Sequence, residues 1–484
     1  MSTLLTLKKT KGKWMKFVVA MAVRNSQRTY RQCMLWTLVI LIETGCASLP
    51  DLKGLRRGST QIQQTQLLNT HRAISQRQAQ PIIEKLERAG ESNLLSRHLA
   101  YVEAMNGPPL IAGNEARLLI DGPDTFTAMF AAIQRARDHI NLESYIFDDG
   151  HIGQRLADLL MVKRAEGVEI NIIYDSVGSM ATPPGFFERL KASGINVCEF
   201  NPVNPLKGRR WRINNRDHRK LLVVDGGTAF TGGINISGVY STGSFGSGRN
   251  TPDKTKGWRD THVQIEGPAV AEVQRLFLDT WTKQCDPQLP QRNFFPTLSA
   301  KGEKVVRVIG SSPDDPLNLT YVVLLSAIAH AEKSVYITVA YFVPDPQTIE
   351  TLQAAARRGV DVKLILPGFS DFAAVFHAGR SHYSDLLRAG VKIFEHRAAL
   401  LHAKTAVVDG VWSTIGSTNM DWRSFLHNDE ANAVILGEDF ANEMQRMFER
   451  DLADASPINL PDWEARSPVV RLKEWGACLW EYWL

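Results

Sequence analysis

Cysteine is scarce. The chain has five in 484 residues (Cys33, Cys46, Cys198, Cys285, Cys478), with no Cys-x-x-Cys pair and no histidine cluster of zinc-binding spacing. That argues against a zinc module and against a disulfide framework, and no metal or cofactor is expected. Acidic residues are missing from positions 1–32, which carry eight lysines and arginines. A membrane-spanning run is missing there too. The apolar stretch CMLWTLVILI (33–42) has ten residues, whereas a spanning helix needs ~20. A basic segment followed by a short apolar one fits an export signal. Charge imbalance is mild, +5 with a pI near 8.8. It suits an anionic partner, a phospholipid surface or a nucleic acid, without choosing between them. What is present is ordinary globular material, 44% hydrophobic and 22% charged, in a length suited to two or three domains.

The chain is built twice. AAIQRARDHINLESYIF (131–147) is matched by SAIAHAEKSVYITVAYF (326–342), AEGVEINIIYD (165–175) by RRGVDVKLILP (357–367), and LKASGINVCEF (190–200) by LLRAGVKIFEH (386–396). Each match is a helix end, a turn and an apolar strand, and several strands are apolar on both faces. That pattern predicts an α/β fold: two duplicated domains, each a mixed β-sheet flanked by helices, related by a pseudo-twofold axis. The divisions read as a basic leader and signal (1–46), a polar helical region (47–110), a first domain (111–295), a second domain (296–460) and a Trp-rich tail (461–484). The loop YSTGSFGSGRNTPDKTKG (240–257) interrupts the first half only; its composition is that of a mobile segment, a lid or a surface insertion.

Each half then reaches one motif: DHRKLLVVDGG at 217 and LHAKTAVVDGV at 401. The apolar run is a strand, so His218 and Lys220 share one face and His402 and Lys404 repeat the arrangement. Asp225-Gly226 and Asp409-Gly410 supply turns into a return strand. If the halves pack about a twofold, two imidazoles face one phosphodiester. One attacks phosphorus, the other protonates the departing alcohol, and the lysines hold the non-bridging oxygens. One strand later, TGGINIS and IGSTNMD place Gly233 or Ser417 and Asn235 or Asn419 at matching positions, where small residues and an amide can meet a phosphate.

This doubled His-x-Lys-x4-Asp motif, with Gly-Gly-x-Asn or Gly-Ser-x-Asn behind it, resembles the phospholipase D superfamily. DHRKLLVVDGGTAFTGGINIS, WRDTHVQIEGPAV and LHAKTAVVDGVWSTIGSTNMDWRSFLHNDEANAVI resemble its bacterial cardiolipin synthase branch. The resemblance covers nearly everything from about residue 111 onward. It implies a phosphohistidine intermediate and transfer of a phosphatidyl group between two phosphatidylglycerols with release of glycerol. It implies a catalytic set of His218, Lys220, Asp225, His402, Lys404 and Asp409, with His218 as nucleophile and His402 as acid. It also assigns Asp260 and Glu430 as the carboxylates that orient the histidines. The same residues would serve a hydrolase with water as acceptor, or a nuclease of the superfamily. A nucleic-acid partner is not expected, since no broad basic face with stacking aromatics is legible.

Around Cys46 the sequence ETGCASLP resembles a bacterial lipoprotein signal, with Gly45 before the cysteine and Glu43 where an apolar residue is usual. It implies lipid attachment at Cys46 and a membrane-associated place in the cell envelope. The tail SPVVRLKEWGACLWEYWL (467–484) fits either a final core helix or a helix lying in the headgroup region. The basic run KGRRWRINNR (207–216) is a second candidate for headgroup contact.

Overall fold

The computed structural model describes residues 48–51, 67–69, 72–73, 76–90, 93–204, 212, 214–244, 256–286 and 288–483. Cys46, the basic leader, most of 207–216 and most of the 240–257 loop lie outside the described residues. The architecture below belongs to the unit Leu49–Leu484.

The main sheet of the first half is built from β1 (Leu110–Ile120), β2 (His139–Ser144), β3 (Glu169–Asp175), β4 (Asn196–Phe200), β5 (Lys220–Val224), β6 (Thr228–Gly232) and β7 (Thr261–Glu266). The second contributes β8 (Lys304–Ser311), β9 (Ser334–Val339), β10 (Asp361–Pro367), β11 (Lys392–His396), β12 (Lys404–Val408), β13 (Trp412–Gly416) and β14 (Asn428–Leu436). Their pairings coincide. In the first sheet the order is β4-β3-β2-β5-β6-β7-β1, parallel through β2 and antiparallel thereafter. In the second it is β11-β10-β9-β12-β13-β14-β8 with the same polarities. The two sheets meet where β1 pairs antiparallel with β8. The expected pair of duplicated mixed sheets is therefore present.

The repeat also builds a shared core. Leu221, Val223 and Val263 of the first half pack in one cluster with Val407, Ile415, Ala431 and Ala433 of the second. These side chains lie on the motif strands β5 and β12 and on their neighbours β7, β13 and β14, so burying them draws the two motifs toward each other. At the far end of β5 and β12 the Asp-Gly turns have both central residues in the left-handed region, φ 50° and 61° at Asp225 and Gly226, 52° and 67° at Asp409 and Gly410. That is the tight turn whose twist matches a hairpin.

Three expectations need revision. Cys198 and Cys285 form a disulfide across 87 residues of sequence. The end of β4 and the end of helix Val270–Gln284 meet in a small apolar cluster that includes Phe277 and Trp281, a proximity that spacing cannot reveal. The 47–110 region is less polar in role than in composition. Its helix Leu94–Ala104 buries Leu94, Leu95, Leu99 and Val102 in the second half's core. The tail does not end in a core helix. Helix Pro468–Cys478 has Glu474 as its buried residue.

Candidate active site

His218 lies two residues before β5 and His402 two residues before β12. Each is held by the other half. The His218 backbone N–H donates to the carbonyl of Asp429 (2.9 Å), and that of His402 donates to the carbonyl of Arg259 (2.8 Å). The next residue in each partner segment then meets the ring. His218 Nδ1 lies 3.0 and 3.1 Å from the two carboxylate oxygens of Glu430, and His402 Nδ1 lies 2.7 Å from Asp260 Oδ2. The clamps are reciprocal. A carboxylate at Nδ1 fixes the tautomer and leaves Nε2 as the nitrogen for chemistry. Arg219, on the opposite face of the strand, reinforces the junction through the carbonyls of Glu430 and Ser311.

Both rings line one cavity of about 400 Å³, together with Asn235, Asn419, Tyr145, Tyr341, Arg216 and Arg423. Lys220 donates to the His218 carbonyl at 2.7 Å and sits 5.2 Å from the Tyr145 ring. Lys404 donates to the His402 carbonyl, lies 3.1 Å from His402 Nδ1, and sits 5.9 Å from the Tyr341 ring. Burial is the dominant electrostatic influence. It draws Lys220 down to about 7 and Lys404 to about 8, opposed by the nearby carboxylates. It lifts Glu430 to about 7 against the pull of Lys220. For Asp260, burial is outweighed by His402 and Lys404, and the carboxyl falls below its ordinary value. Both imidazoles are lowered, first by burial and then by the lysines, His218 well below its usual range. The two clamps thus differ: His218 is held firmly neutral, and His402 faces a firmly ionised carboxylate.

The remaining motif residues divide. Asn235 accepts from the Ile146 N–H (3.1 Å) and donates to Tyr240 Oη (3.3 Å), so its amide reaches the cavity already engaged. The Asn419 side-chain oxygen has no hydrogen-bond partner among the described residues. Gly233 serves the orienting carboxylate instead of making room for a phosphate: a Cβ there would lie 2.1 Å from Asp260 Oδ1. Ser417, its counterpart, donates its hydroxyl to Glu430. Asp225 and Asp409 stand apart from the chemistry. Each carboxylate accepts three backbone N–H groups, from Arg137, Asp138 and His139 or from Glu332, Lys333 and Ser334. They lie a five-residue strand beyond the lysines, roughly 16 Å away. Their conformation, turn and contacts are those of residues that tie the motif hairpin to the neighbouring strand.

Gly233→Ala follows from this packing as a test. The added methyl displaces the Asp260 carboxylate from His402, and overpacking costs about 1–3 kcal/mol. Turnover is expected to fall roughly 100-fold, with a modest drop in melting temperature. Activity within twofold of wild type would show that Asp260 has room to move without consequence.

Sequence reading missed Tyr240, whose Oη lies 3.2 Å from His402 Nδ1. It opens the loop read as mobile, yet its side chain is fully buried. Tyr145 and Tyr341 were visible as matched repeat positions, and their place under the lysines was not. Arg216 ends the basic run read as a headgroup contact, yet it is buried and paired with Asp175 beside the cavity; Arg423 sits beside a motif segment without a pattern of its own.

Comparison with known proteins is decisive here. The family described as "Cardiolipin synthase, PLD-like domain" matches residues 129–243 and 324–452. The chain belongs to the cardiolipin synthase family. A cardiolipin synthase of Geobacillus thermodenitrificans is 37% identical over 81% of this chain and 76% of its own length. One of Alkalihalophilus pseudofirmus is 34% identical over the same shares. Among solved structures, a phosphatidylserine synthase of Haemophilus influenzae Rd KW20 superimposes with a TM-score of 0.60 at 14% identity, covering 83% of this chain and all of that one. At that identity the likeness establishes the fold. In family terms the two matched segments are the two halves, and each contributes one histidine to the shared cavity. The chain is a phosphatidyltransferase of that family.

Proposed function

We propose that this cardiolipin synthase family member moves a phosphatidyl group from one phosphatidylglycerol to a second, through a phosphohistidine at His218. The observation that carries the reading is the pair of reciprocal clamps opening on one cavity: neither half alone can orient its own histidine. In the first step His218 Nε2 attacks phosphorus. The phosphorus–oxygen bond to glycerol breaks, and His402 gives a proton to the departing oxygen. In the second, a hydroxyl of the incoming phosphatidylglycerol returns a proton to His402 and attacks phosphorus, and the phosphorus–nitrogen bond breaks. Lys220 and Lys404 hold the non-bridging oxygens throughout. The contrast between the clamps supports this division of roles. A firmly neutral His218 is a nucleophile at neutral pH, and ionised Asp260 stabilises the imidazolium form from which His402 gives its proton in the first step and to which it returns in the second. The catalytic set is then His218, Lys220, His402 and Lys404, with Asp260, Glu430, Gly233 and Ser417 positioning, Asn235 and Asn419 at the substrate, and Asp225 and Asp409 as hairpin supports.

Incubating the purified protein with phosphatidylglycerol in detergent tests the proposal. Cardiolipin with stoichiometric glycerol is the expected outcome. Phosphatidic acid as the main product would mean water is the acceptor, and turnover of oligonucleotides in place of lipid would mean a nuclease.

The second-order check is pH. Glu430 and Lys220, both drawn to about 7, titrate as a coupled pair. Below that range Glu430 takes up a proton and loses the negative charge that holds the His218 N–H, so kcat/KM falls toward acid. Above about 7 Lys220, and above about 8 Lys404, loses its charge, and kcat/KM falls toward alkali. A narrow bell with its top near 7 is expected, its alkaline limb set by both lysines. Lys404→Arg should move the alkaline limb upward; an unmoved limb would assign that limb to another group.

The divisions at 111–295 and 296–460 follow the sheet pairings closely enough that we keep them as proposed domain limits. We also place the catalytic unit outside the cytoplasm, in the cell envelope, with Cys46 as a lipid attachment point. The Cys198–Cys285 bridge supports this, because structural disulfides persist in oxidising compartments.

A further inference from the structure

Five apolar side chains near the C-terminus are open to solvent. Val469, Leu472, Trp475, Leu479 and Trp480 are between 62 and 66% exposed, although the chain has ample core elsewhere. At about 100° per residue they fall within one arc of roughly 140° on helix Pro468–Cys478 and its C-terminal extension. Exposed Arg471 and Lys473 mark the two margins of that arc. Glu474, the one acidic residue between Pro468 and Trp480, points the other way. It is 2% exposed and accepts from Arg466 at 2.7 and 2.9 Å and from Arg380 at 3.4 Å. A contact of 3.0 Å between His382 Nε2 and Glu481 fastens the next turn. The helix is therefore locked in rotation by ionic contacts on its inner face, and its apolar face is held outward.

We propose that this outward face docks on the anionic bilayer that holds the substrate. The proposal rests on the lipid-substrate reading above. Three observations name the occupant. Tryptophans set among aliphatic side chains favour the headgroup boundary. The helix's own margins are cationic and its one carboxylate is turned inward, which suits an anionic surface such as phosphatidylglycerol; exposed Asp385 and Glu464, on neighbouring elements beside Arg471 and Trp475, are both paired with Arg388. The face is also continuous with the catalytic cavity. Ala477 packs with Val343, Val375 and Ala378, and Val375 and half-exposed Phe372 line the cavity that holds His218 and His402. Tyr482, beyond the helix, packs its ring 5.3 Å from that of Trp422, the neighbour of cavity residue Arg423. One short helix thus separates the bilayer-facing surface from the catalytic wall.

The test uses the full chain and reads the face locally, so that any other membrane contact does not mask it. With vesicles of bromine-labelled phosphatidylglycerol, wild-type tryptophan fluorescence should be quenched, and Trp475→Phe/Trp480→Phe should lose most of that quenching. Separately, Leu472→Ser/Trp475→Ser/Trp480→Ser should lower turnover of phosphatidylglycerol in vesicles by roughly tenfold or more, reflecting lost apolar burial. The same variant should keep its turnover of monomeric short-chain phosphatidylglycerol within about twofold. Equal quenching in both proteins, or an unchanged ratio of vesicle to monomer turnover, would overturn the proposal. So would conversion of a wild-type dimer to monomer by the triple substitution, since the face would then be a contact between copies. Failure of the monomer assay in the wild type would instead strike the substrate reading.

Discussion

Alanine at His218 or at His402 is expected to reduce phosphatidyl transfer by a factor on the order of 10⁴ or more in each case, with melting temperatures close to wild type. The equality is the informative part. If each half carried its own active site, one substitution would leave about half the activity. Because both rings open on one cavity, either loss removes a step that every turnover needs. The two variants are still distinguishable. A phosphodiester with an activated aryl leaving group needs no proton to depart, so His402→Ala should release one equivalent of aryl alcohol and then stall with phosphorus on His218. His218→Ala should release none. A burst in the His218 variant and none in the His402 variant would exchange the two roles. Activity above a few per cent in either would mean the histidines do not share one phosphorus.

What the sequence made legible was whatever a local pattern can carry. The duplicated strands were readable because β2, β3 and β4 repeat as β9, β10 and β11 with the same helix ends before them. The motif hairpins were readable because alternation puts His218 beside Lys220, and Asp225-Gly226 is a turn. Three things were not. The partner of each histidine is in the other half, 212 residues away for Glu430 and 142 for Asp260, and the choice between a carboxylate of the same half and one of the other depends on packing. Asp225 and Asp409 belong to the motif by spacing, yet their carboxylates are engaged by the backbone entering β2 and β9, because a strand carries its two ends far apart. Tyr240 looked like the start of a loop, since the small polar residues after it dominate the local composition. The tail illustrates the same limit. Its apolar positions were plain, but only the ionic contacts of Glu474 decide which face turns outward.

The reciprocal clamps make the second large prediction. Glu430→Gln keeps the shape at His218 Nδ1 but can present an amide N–H where an acceptor is needed. Asp260→Asn does the same to His402. Losses of about 10²–10⁴ in kcat are expected for each, with smaller changes in KM because neither carboxylate meets the substrate directly. The pairing is what the experiment isolates. In a His218→Ala background, Glu430→Gln should cost almost nothing further, and Asp260→Asn should still lower whatever activity remains. In a His402→Ala background the order reverses. A merely structural carboxylate would lower activity by the same factor in both backgrounds. Glu430→Gln should also remove the acidic limb near 7 from the kcat/KM profile, because the group drawn to about 7 by burial is gone; Asp260→Asn, whose target is already ionised there, should leave that limb in place. Should the couplings instead fall within each half, Glu430 with His402 and Asp260 with His218, the cross-braced geometry would not be the one that operates during turnover.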